Sequence, residues 1–355
     1  MEPSSPPTTA RLLALVDAMA GQPVAMVVDL VADLFITGSP KRISREAPVL
    51  ILAYEGETLI PGGGANAVAN VAALGGRPLP LGAVGDDEAG RKLLAELARR
   101  GVETSGILVR PGYRTPTKVR ILGGGRHSIK QQIVRYDIED TLALSGDDRD
   151  RFATTLAEWR SQAPVPVAIL SDYGYGAVEP EMLPRLRTAL GPEALVVCDS
   201  RYRLGAFTGI EGTGLDGATP NEEEAEALYG QAFDDDPVRL AAAGRQLREK
   251  LGARFLLITR GSRGMSLFEA AGAAHLPVHG TAQVADVTGA GDTVIGTFAL
   301  ALAAGATPLE AALLANYAGG VVVMKMGTAT LTPEELRRAI ESDARPREEV
   351  RWEAW

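Results

Sequence analysis

The strongest constraint on the fold is an alternation that begins at Val24, where short β-branched runs alternate with longer Ala, Leu, Glu and Arg stretches of helical period. This alternation predicts an α/β fold with a mostly parallel central sheet and crossover helices on both faces. Ligands of such sheets bind at the carboxyl ends of the strands. The clearest predicted strands cover residues 24–29, 167–171, 195–199 and 255–259, and the predicted helices cover residues 66–74, 88–100, 149–160, 222–228, 237–251, 292–304, 308–324 and 333–342.

Two segments, residues 49–58 and 117–135, break this rhythm by mixing apolar, β-branched and charged residues. Gly123, Gly124 and Gly125 inside the second segment predict a turn between two strands. We therefore predict a small sheet set apart from the main one. It is either a lid over the mouth of the site or an ordinary surface hairpin.

The length of 355 residues, with 46% in the hydrophobic set, allows one large core without evidence for a second independent domain. We expect a flexible N-terminal tail and lead-in over residues 1–20, the main domain over 21–342 and a charged C-terminal tail over 343–355. Cys198 lies in an apolar run, which predicts an inert core thiol in a reducing compartment.

The formal charge of −9 disfavours nucleic acid and anionic membrane surfaces as partners. Residues 1–10 do not resemble a signal peptide. The longest apolar stretch, near residues 294–304, is shorter than a bilayer helix. We therefore expect a cytoplasmic protein.

The most informative motif is Asp286-Val-Thr-Gly-Ala-Gly-Asp-Thr293, which leads directly into an apolar helix. Small residues at Gly289, Ala290 and Gly291 let backbone N–H groups converge on an anion at the positive end of the helix dipole. Asp292 fits a general base that takes a proton from a hydroxyl nucleophile during phosphoryl transfer. The alternative is a simple helix cap.

A second cluster, Pro61-Gly-Gly-Gly-Ala-Asn-Ala-Val-Ala-Asn70, places three glycines before a helix with two asparagines four residues apart. Gly62 and Gly63 allow close approach of a small ligand, and Asn66 can both donate and accept hydrogen bonds to a sugar. Asp29 and Asp33, after the first predicted strand, are either sugar-binding carboxylates or solvated loop residues.

Three other patterns carry little weight. The Gly212-Thr-Gly-Leu-Asp-Gly217 pattern matches a dinucleotide fingerprint, but no clear strand leads into it, so we predict a loop. No lysine follows a glycine anywhere in the chain, which excludes a P-loop. The three histidines, His127, His275 and His279, lack metal-ligand partners at a useful spacing.

The two glycine motifs resemble the C-terminal and N-terminal signatures of the ribokinase-type, or PfkB, carbohydrate kinases. More narrowly, six ordered elements, at residues 42–48, 61–70, 115–120, 171–174, 219–221 and 286–293, resemble the D-glycero-β-D-manno-heptose-7-phosphate kinases. The resemblance covers roughly residues 24–333 and implies a ribokinase-like fold with a β lid. Bifunctional relatives carry an additional nucleotidyltransferase half with a His-x-Gly-His motif; none occurs here, so we expect the kinase half alone.

The resemblance implies a phosphotransferase that uses ATP and Mg²⁺, with Asp292 as catalytic base and the amides of Gly289, Ala290 and Gly291 as the anion hole. It assigns sugar contacts to Asp33, Gly62, Gly63, Asn66 and Lys118. Asn221 and Glu224 match an Asn-x-x-Glu element beside the phosphates, where Glu224 holds Mg²⁺ through water. Nucleotide contacts are implied for Thr259, Gly261, Gly264 and Asn316. A monovalent-cation requirement and a homodimer through the lid strands stay open.

Four positions depart from the family pattern, namely Val28, Arg45, Tyr175 and the Asp199-Ser200-Arg201 element. They affect the identity of the sugar, since nearby cations are the expected contacts of a substrate phosphate. Our candidates for that contact are Lys118, Arg120, Arg135 and Arg201. The prediction is a kinase for the anomeric hydroxyl of heptose 7-phosphate. The alternatives are a kinase for another sugar, sugar phosphate or nucleoside, a non-catalytic sugar- or nucleotide-binding module, and, least favoured, a dehydrogenase.

Overall fold

The computed structural model describes residues 6–125, 130–209, 214–280 and 284–355. The strands in these ranges are β1 (Pro23–Val28), β2 (Leu30–Ile43), β3 (Leu50–Gly63), β4 (Arg77–Gly85), β5 (Ile107–Arg110), β6 (Thr117–Gly123), β7 (Gln131–Ile138), β8 (Val167–Asp172), β9 (Leu195–Ser200), β10 (Gly217–Ala218), β11 (Phe255–Thr259), β12 (Met265–Glu269), β13 (Gly272–Leu276) and β14 (Arg351–Ala354). The α-helices are α1 (Thr9–Ala18), α2 (Gly64–Ala73), α3 (Glu88–Arg99), α4 (Gly146–Gln162), α5 (Leu183–Leu190), α6 (Glu222–Tyr229), α7 (Pro237–Leu251), α8 (Ala290–Ala303), α9 (Pro308–Val322), α10 (Pro333–Ser342) and α11 (Arg345–Glu348).

Within the described residues, ten strands form the main sheet in the order β14-β13-β12-β11-β10-β9-β8-β1-β4-β5. All pairs from β11 to β5 are parallel, whereas β12, β13 and β14 add antiparallel strands at one edge. The parallel strands β1 and β8 are almost wholly buried, because helices cover both faces of the sheet. The predicted three-layer α/β architecture is confirmed.

The core consists of two layers, one on each side of the main sheet. Residues of α1, α2, α8, α9 and α10 form one layer, in which Phe298 packs edge-on against Phe255 of the sheet. Residues of α4, α5 and α7 form the other layer, which includes the buried thiol of Cys198. Among the described helices, none is both long and apolar enough to cross a membrane.

The second sheet, called the lid sheet below, has the order β3-β2-β6-β7, and a single residue, Asp29, separates its strand β2 from β1. Strands β3, β6 and β7 correspond to the two irregular segments of the sequence. The sequence patterns did not predict β2, which bends through bulges at Thr37/Gly38 and Pro40/Arg42. Since β2 follows β1 so closely, this sheet lies at the carboxyl end of a central strand.

Both predicted tails contain regular structure. The expectation of a flexible lead-in is wrong for residues 9–18, which form α1 and bury Leu12, Leu15 and Val16 against the body. The C-terminal segment is likewise more than a charged tail, because β14 pairs with β13 and completes the sheet edge. Trp355 then stacks on Phe268, with ring centroids 6.3 Å apart.

Candidate active site

Several chain segments that the sequence motifs singled out converge at the carboxyl edge of the parallel strands. Strands β8, β9, β10 and β11 end there, and the lid sheet and the start of α8 lie beside them. This is where a doubly wound sheet binds its ligands. The residues below are described from the centre of this region outward.

Asp292 lies in the first turn of α8 and is only 2% exposed. Its Oδ1 accepts a hydrogen bond from the Tyr173 hydroxyl at 2.7 Å, and its Oδ2 accepts one from Asn66 Nδ2 at 3.1 Å. Burial raises the pKa of Asp292 to about 7, although both hydrogen bonds oppose this shift. A carboxyl group with this pKa can exchange a proton near neutral pH.

The glycine turn before α8 explains why Asp292 occupies this position. Gly289 caps the helix in a left-handed conformation, with φ of 77°, and its carbonyl accepts a second hydrogen bond from Asn66 at 3.2 Å. A Cβ at Gly289 would lie 2.5 Å from Asn66 Nδ2. Asp292 is therefore not a conventional side-chain cap, because the cap residue is Gly289 and α8 has no side-chain cap bond.

The start of α8 differs in one detail from the prediction that the amides of Gly289, Ala290 and Gly291 form an anion hole. The amide of Ala290 donates to the carbonyl of Val287 at 3.2 Å, which closes the turn before α8. Gly291, by contrast, borders two cavities that meet at the helix start. The amide of Ala290 is thus already engaged within the turn.

Asp33 belongs to β2 of the lid sheet and not to the end of the first strand. It is 2% exposed, so the alternative of a solvated loop carboxylate is wrong. Arg120 donates to its Oδ1 at 2.6 Å, and the Thr328 hydroxyl donates to its Oδ2 at 2.7 Å. A Cβ at Gly62 would lie 2.6 Å from Asp33 Oδ2, so the first glycine cluster packs directly on this carboxylate.

Asp29 has a different role from the sugar contact considered for it. Its two carboxylate oxygens accept backbone N–H groups from Tyr173, Tyr175 and Ala177 at 2.8–2.9 Å. Burial raises the pKa of Asp29 to about 6, against these three hydrogen bonds. Asp29 therefore clamps the loop that follows β8.

Tyr173 was not among the candidate residues, although it lies inside the 171–174 element. Its ring lies 5.4 Å below the ammonium of Lys118, and a Cβ at Gly63 would lie 3.4 Å from its Cδ2. Burial lowers the pKa of Lys118. The signal that could have found Tyr173 was its place directly after a strand that ends at the predicted ligand edge.

A cavity of about 460 Å³ lies between this cluster and the start of α6. Asn221 and Glu224 line it, and they also form a capping box at α6, with backbone-to-side-chain bonds of 2.8 and 2.9 Å. Asp199 borders the same cavity, and burial raises the pKa of both Asp199 and Glu224. The charge of Glu224 raises the pKa of Asp199 further.

These carboxylates bear on the predicted Mg²⁺ site. Among the described residues, no group of three or more His, Cys, Asp and Glu side chains is gathered around one point. Mg²⁺ retains several waters and is commonly held by one or two carboxylates together with substrate phosphates. Asp199 and Glu224 fit a water-mediated ion of this kind.

A second cavity of about 410 Å³ adjoins the first and shares Thr259, Val287 and Gly291 with it. Gly261, Gly264 and Asn316 also line it, and much of its remaining wall is apolar. Asn316 is held in place by donating from Nδ2 to the Pro277 carbonyl at 2.7 Å. One cavity is therefore bordered by all four residues for which nucleotide contacts were implied outside α6, namely Thr259, Gly261, Gly264 and Asn316.

The structure separates the four cation candidates for a substrate phosphate. Arg120 is paired with Asp33, and Arg135 forms a bidentate pair with Asp137, at 2.8 and 2.6 Å. Within the described part of the chain, neither Lys118 nor Arg201 forms a salt bridge, and each lies over a tyrosine ring. Arg120 and Arg135 are therefore poorly placed for a substrate anion, whereas Lys118 and Arg201 stay available.

The remaining sequence candidates lie elsewhere. His275 contacts Ser266, and His279 pairs with Asp343 at 3.0 Å. His127 and the first two residues of the 212–217 pattern lie outside the described residues. The last residue of that pattern, Gly217, starts β10 and is followed by Pro220 before α6.

Comparison with known proteins assigns the chain to a family. The pattern that defines the pfkB family of carbohydrate kinases matches residues 26–150 and 194–335. The chain belongs to the pfkB family of carbohydrate kinases. As a pfkB member it is a phosphotransferase that acts on a sugar hydroxyl, which confirms the predicted enzyme class.

Two relatives of this pfkB protein are the bifunctional proteins HldE of Mesorhizobium japonicum and Paramagnetospirillum magneticum. The first is 40% identical over 342 residues, covering 95% of this chain and 65% of that protein. The second is 39% identical over 330 residues, covering 92% of this chain and 64% of that protein. The chain thus spans just under two thirds of the length of these relatives.

Solved structures show the same pfkB fold. Phosphofructokinase-2 from Escherichia coli superposes with a TM-score of 0.71 at 18% identity, covering 90% of this chain and 99% of that one. Arabidopsis thaliana ribokinase superposes with a TM-score of 0.68 at 20% identity, with the same coverage. The predicted ribokinase-like architecture is therefore confirmed.

Proposed function

We propose that this chain is an ATP- and Mg²⁺-dependent kinase for the anomeric hydroxyl of D-glycero-β-D-manno-heptose 7-phosphate. The observation that carries the proposal is the buried carboxylate of Asp292, held by Asn66 and Tyr173 where the lid sheet meets the start of α8. Asn66 of the first glycine motif thus contacts Asp292 of the second.

In the proposed reaction, Asp292 accepts the proton of the sugar hydroxyl while the oxygen attacks the γ-phosphorus of ATP. The O–P bond to the sugar forms as the bond between the γ-phosphorus and the bridging oxygen breaks, and ADP leaves. The amide of Gly291 and the positive end of α8 stabilise the charge on the transferring group. Mg²⁺, when bound beside Asp199 and Glu224, neutralises phosphate charge.

The two cavities divide the nucleotide between them. The 410 Å³ cavity is largely apolar and suits a purine base, whereas the acidic 460 Å³ cavity suits metal-bound phosphates. The sugar hydroxyls are expected at Asp33 and the backbone of Gly62 and Gly63, since Gly62 packs directly on the Asp33 carboxylate. The lid sheet, which carries Asp33 and Lys118, excludes water that would otherwise hydrolyse ATP.

Two observations support a phosphorylated heptose as the sugar. The HldE relatives match 92–95% of the chain at about 40% identity. In addition, Lys118 and Arg201 present cations without carboxylate partners among the described residues, Lys118 over the ring of Tyr173 and Arg201 over the ring of Tyr202. Such cations suit the phosphate at the far end of the substrate.

Replacing Asp292 by Asn tests the assignment of the base. We expect turnover with heptose 7-phosphate to fall by about 10²–10⁴-fold while the KM for the sugar changes little, because only proton transfer is removed. Turnover is measured as ADP release, and phosphorus NMR identifies the position of the new phosphate. Nucleotide titration of the variant provides the control for folding.

The same assay with a panel of sugars separates the alternatives. Activity confined to fructose 6-phosphate, an unphosphorylated sugar or a nucleoside would overturn the heptose assignment but leave a kinase. Nucleotide binding with no ADP release on any acceptor would favour a non-catalytic binding module. Wild-type turnover in Asp292→Asn would show that another group accepts the proton.

Replacing Lys118 or Arg201 by Gln tests recognition of the substrate phosphate. We expect each variant to raise the KM for heptose 7-phosphate by about 10-fold or more, since a charge-assisted contact is lost. The KM for the unphosphorylated heptose should change much less. Arg135→Gln is the matched control, because Asp137 already neutralises that guanidinium. An equal effect on both sugars, or an effect confined to the KM for ATP, would contradict the assignment.

A further inference from the structure

The Tyr173 hydroxyl is the closest described donor to the proposed base, at 2.7 Å from Asp292 Oδ1. Asn66 donates to the other oxygen at 3.1 Å. Each carboxylate oxygen therefore has one protein donor, and a carboxylate oxygen can accept a further hydrogen bond. The two donors together leave the carboxylate one orientation that satisfies both.

The position of Tyr173 does not depend on Asp292. Its backbone N–H donates to Asp29 Oδ2 at 2.8 Å, and the same carboxylate holds Tyr175 and Ala177. Its ring packs over Gly63 and below the ammonium of Lys118. The Asp29 clamp, Gly63 and Lys118 thus hold the tyrosine from three sides before its hydroxyl reaches the base.

We propose that Tyr173 is a positioning residue whose hydroxyl orients the Asp292 carboxylate toward the sugar hydroxyl and keeps it ready to accept a proton. This inference rests on the proposed function, in which Asp292 is the base. Tyr173 itself transfers no proton in the proposed reaction, because its hydroxyl serves as a donor to the carboxylate. Burial and the charge of Asp292 also raise the pKa of Tyr173, which keeps the hydroxyl protonated.

The charged groups around Asp292 determine the sign of the effect. Asp33 faces it from β2, Lys118 from β6 and Asp199 from the end of β9, while Tyr173 and Asn66 contact it directly. Burial and Asp33 raise the pKa of Asp292, and the Tyr173 hydrogen bond lowers it. Without that hydroxyl the base is protonated over a wider pH range, so activity is lost mainly on the acidic side.

The test is the pH dependence of kcat/KM for the sugar in Tyr173→Phe, measured at saturating MgATP. The variant keeps the ring over Gly63 and removes only the hydroxyl. We expect the rising limb of the profile to move up by about one pH unit, so that the loss of kcat/KM below it exceeds the loss at high pH by about tenfold. Tyr175→Phe is the matched control, because its hydroxyl on the same loop contacts Glu139 instead.

The Asp292→Asn variant separates failure of this inference from failure of the proposed function. In Asp292→Asn, adding Tyr173→Phe should cause no further loss of the residual turnover, because the two residues act as one unit. Full activity of Asp292→Asn would defeat the proposed function whatever Tyr173 does. An inactive Asp292→Asn with a wild-type profile in Tyr173→Phe, or an equal loss at every pH, would overturn the role of Tyr173.

A measurement on the wild-type protein keeps the test decisive if Tyr173→Phe does not fold. Carbon NMR of protein labelled at tyrosine Cζ should show one ring whose shift follows the ionisation of Asp292 near neutral pH. That titration should be absent in Asp292→Asn. A set of tyrosine signals that is identical in the two proteins across this range would also overturn the inference.

Discussion

At the scale of single residues, the candidate site depends on glycines that allow polar side chains to approach one another. Gly62 leaves space beside Asp33, and Gly289 leaves space for Asn66. Asn70 supports the same cluster, since its Nδ2 donates to the carbonyl of Asn66 at 3.0 Å. The positions of Asp33 and Asn66 therefore depend on the absence of a side chain at Gly62 and Gly289 and on the hydrogen bond from Asn70.

Gly289→Ala tests this dependence at a single position. The added Cβ lies 2.5 Å from Asn66 Nδ2 on a backbone with φ of 77°, so Asn66 must move and both stability and turnover should fall. Gly305→Ala, at the other end of α8 with φ of 84°, meets no described atom within 4 Å and isolates the conformational cost, roughly 1–2 kcal/mol. Thermal unfolding and ADP release are measured for both. Equal behaviour of the two variants would refute the steric argument.

At the scale of elements, strands β2 and β14 both form although the sequence pattern of each is weak. The strand β2 could not be recognised in the sequence because Gly38, Ser39 and Pro40 interrupt its β-forming residues. The strand accommodates these residues through β-bulges. The short C-terminal strand β14 has few residues, yet Gly272 of β13 approaches it so closely that a Cβ would lie 2.2 Å from the Glu353 carbonyl. The strand covers an edge that would otherwise expose β13.

Deleting residues 351–355 tests the contribution of β14. We expect a lower melting temperature and more aggregation, because the β13 edge and the Phe268 ring become exposed. In a chain of 355 residues, each kcal/mol lost should lower the melting temperature by about 1–2 °C. Gly272→Ala should act in the same direction, since it displaces the strand without removing it. Unchanged melting and light scattering in both variants would show that β14 is dispensable.

At the scale of the whole molecule, the candidate site is shared between two sheets and several helices. Asp33 and Lys118 come from the lid sheet, Tyr173 and Asp199 from the ends of β8 and β9, and Asp292 from α8. The buried carboxylates Asp29 and Asp292 both have a raised pKa, so the native state retains protons that the unfolded chain releases. Part of the folding free energy is therefore given up to maintain the site.

This cost appears as a pH dependence of stability. Between the unfolded pKa of about 3.9 and the native pKa of about 7, native Asp292 holds a proton that unfolded Asp292 has lost. The stability of the wild type relative to Asp292→Asn should therefore decrease as pH rises through this window, by up to roughly 4 kcal/mol, and level off above it. Urea unfolding of both proteins at pH 5 and pH 8 measures the upper part of this window, where the expected decrease is about 3 kcal/mol. A constant difference would mean that Asp292 is not a protonated buried group.

The sequence by itself determined the α/β class, most helix positions, the existence of a separate small sheet and the kinase signatures, because these depend on local periodicity and on motifs of adjacent residues. It could not determine the partners of each carboxylate: Asp29 clamps a loop and Asp33 is paired with Arg120, although both follow the same strand. Tyr173 and Asn66 meet at Asp292 from positions more than 100 residues apart in the chain. Only the tertiary structure decides such contacts, because hydrogen bonds and burial depend on distance in space and not on spacing along the chain.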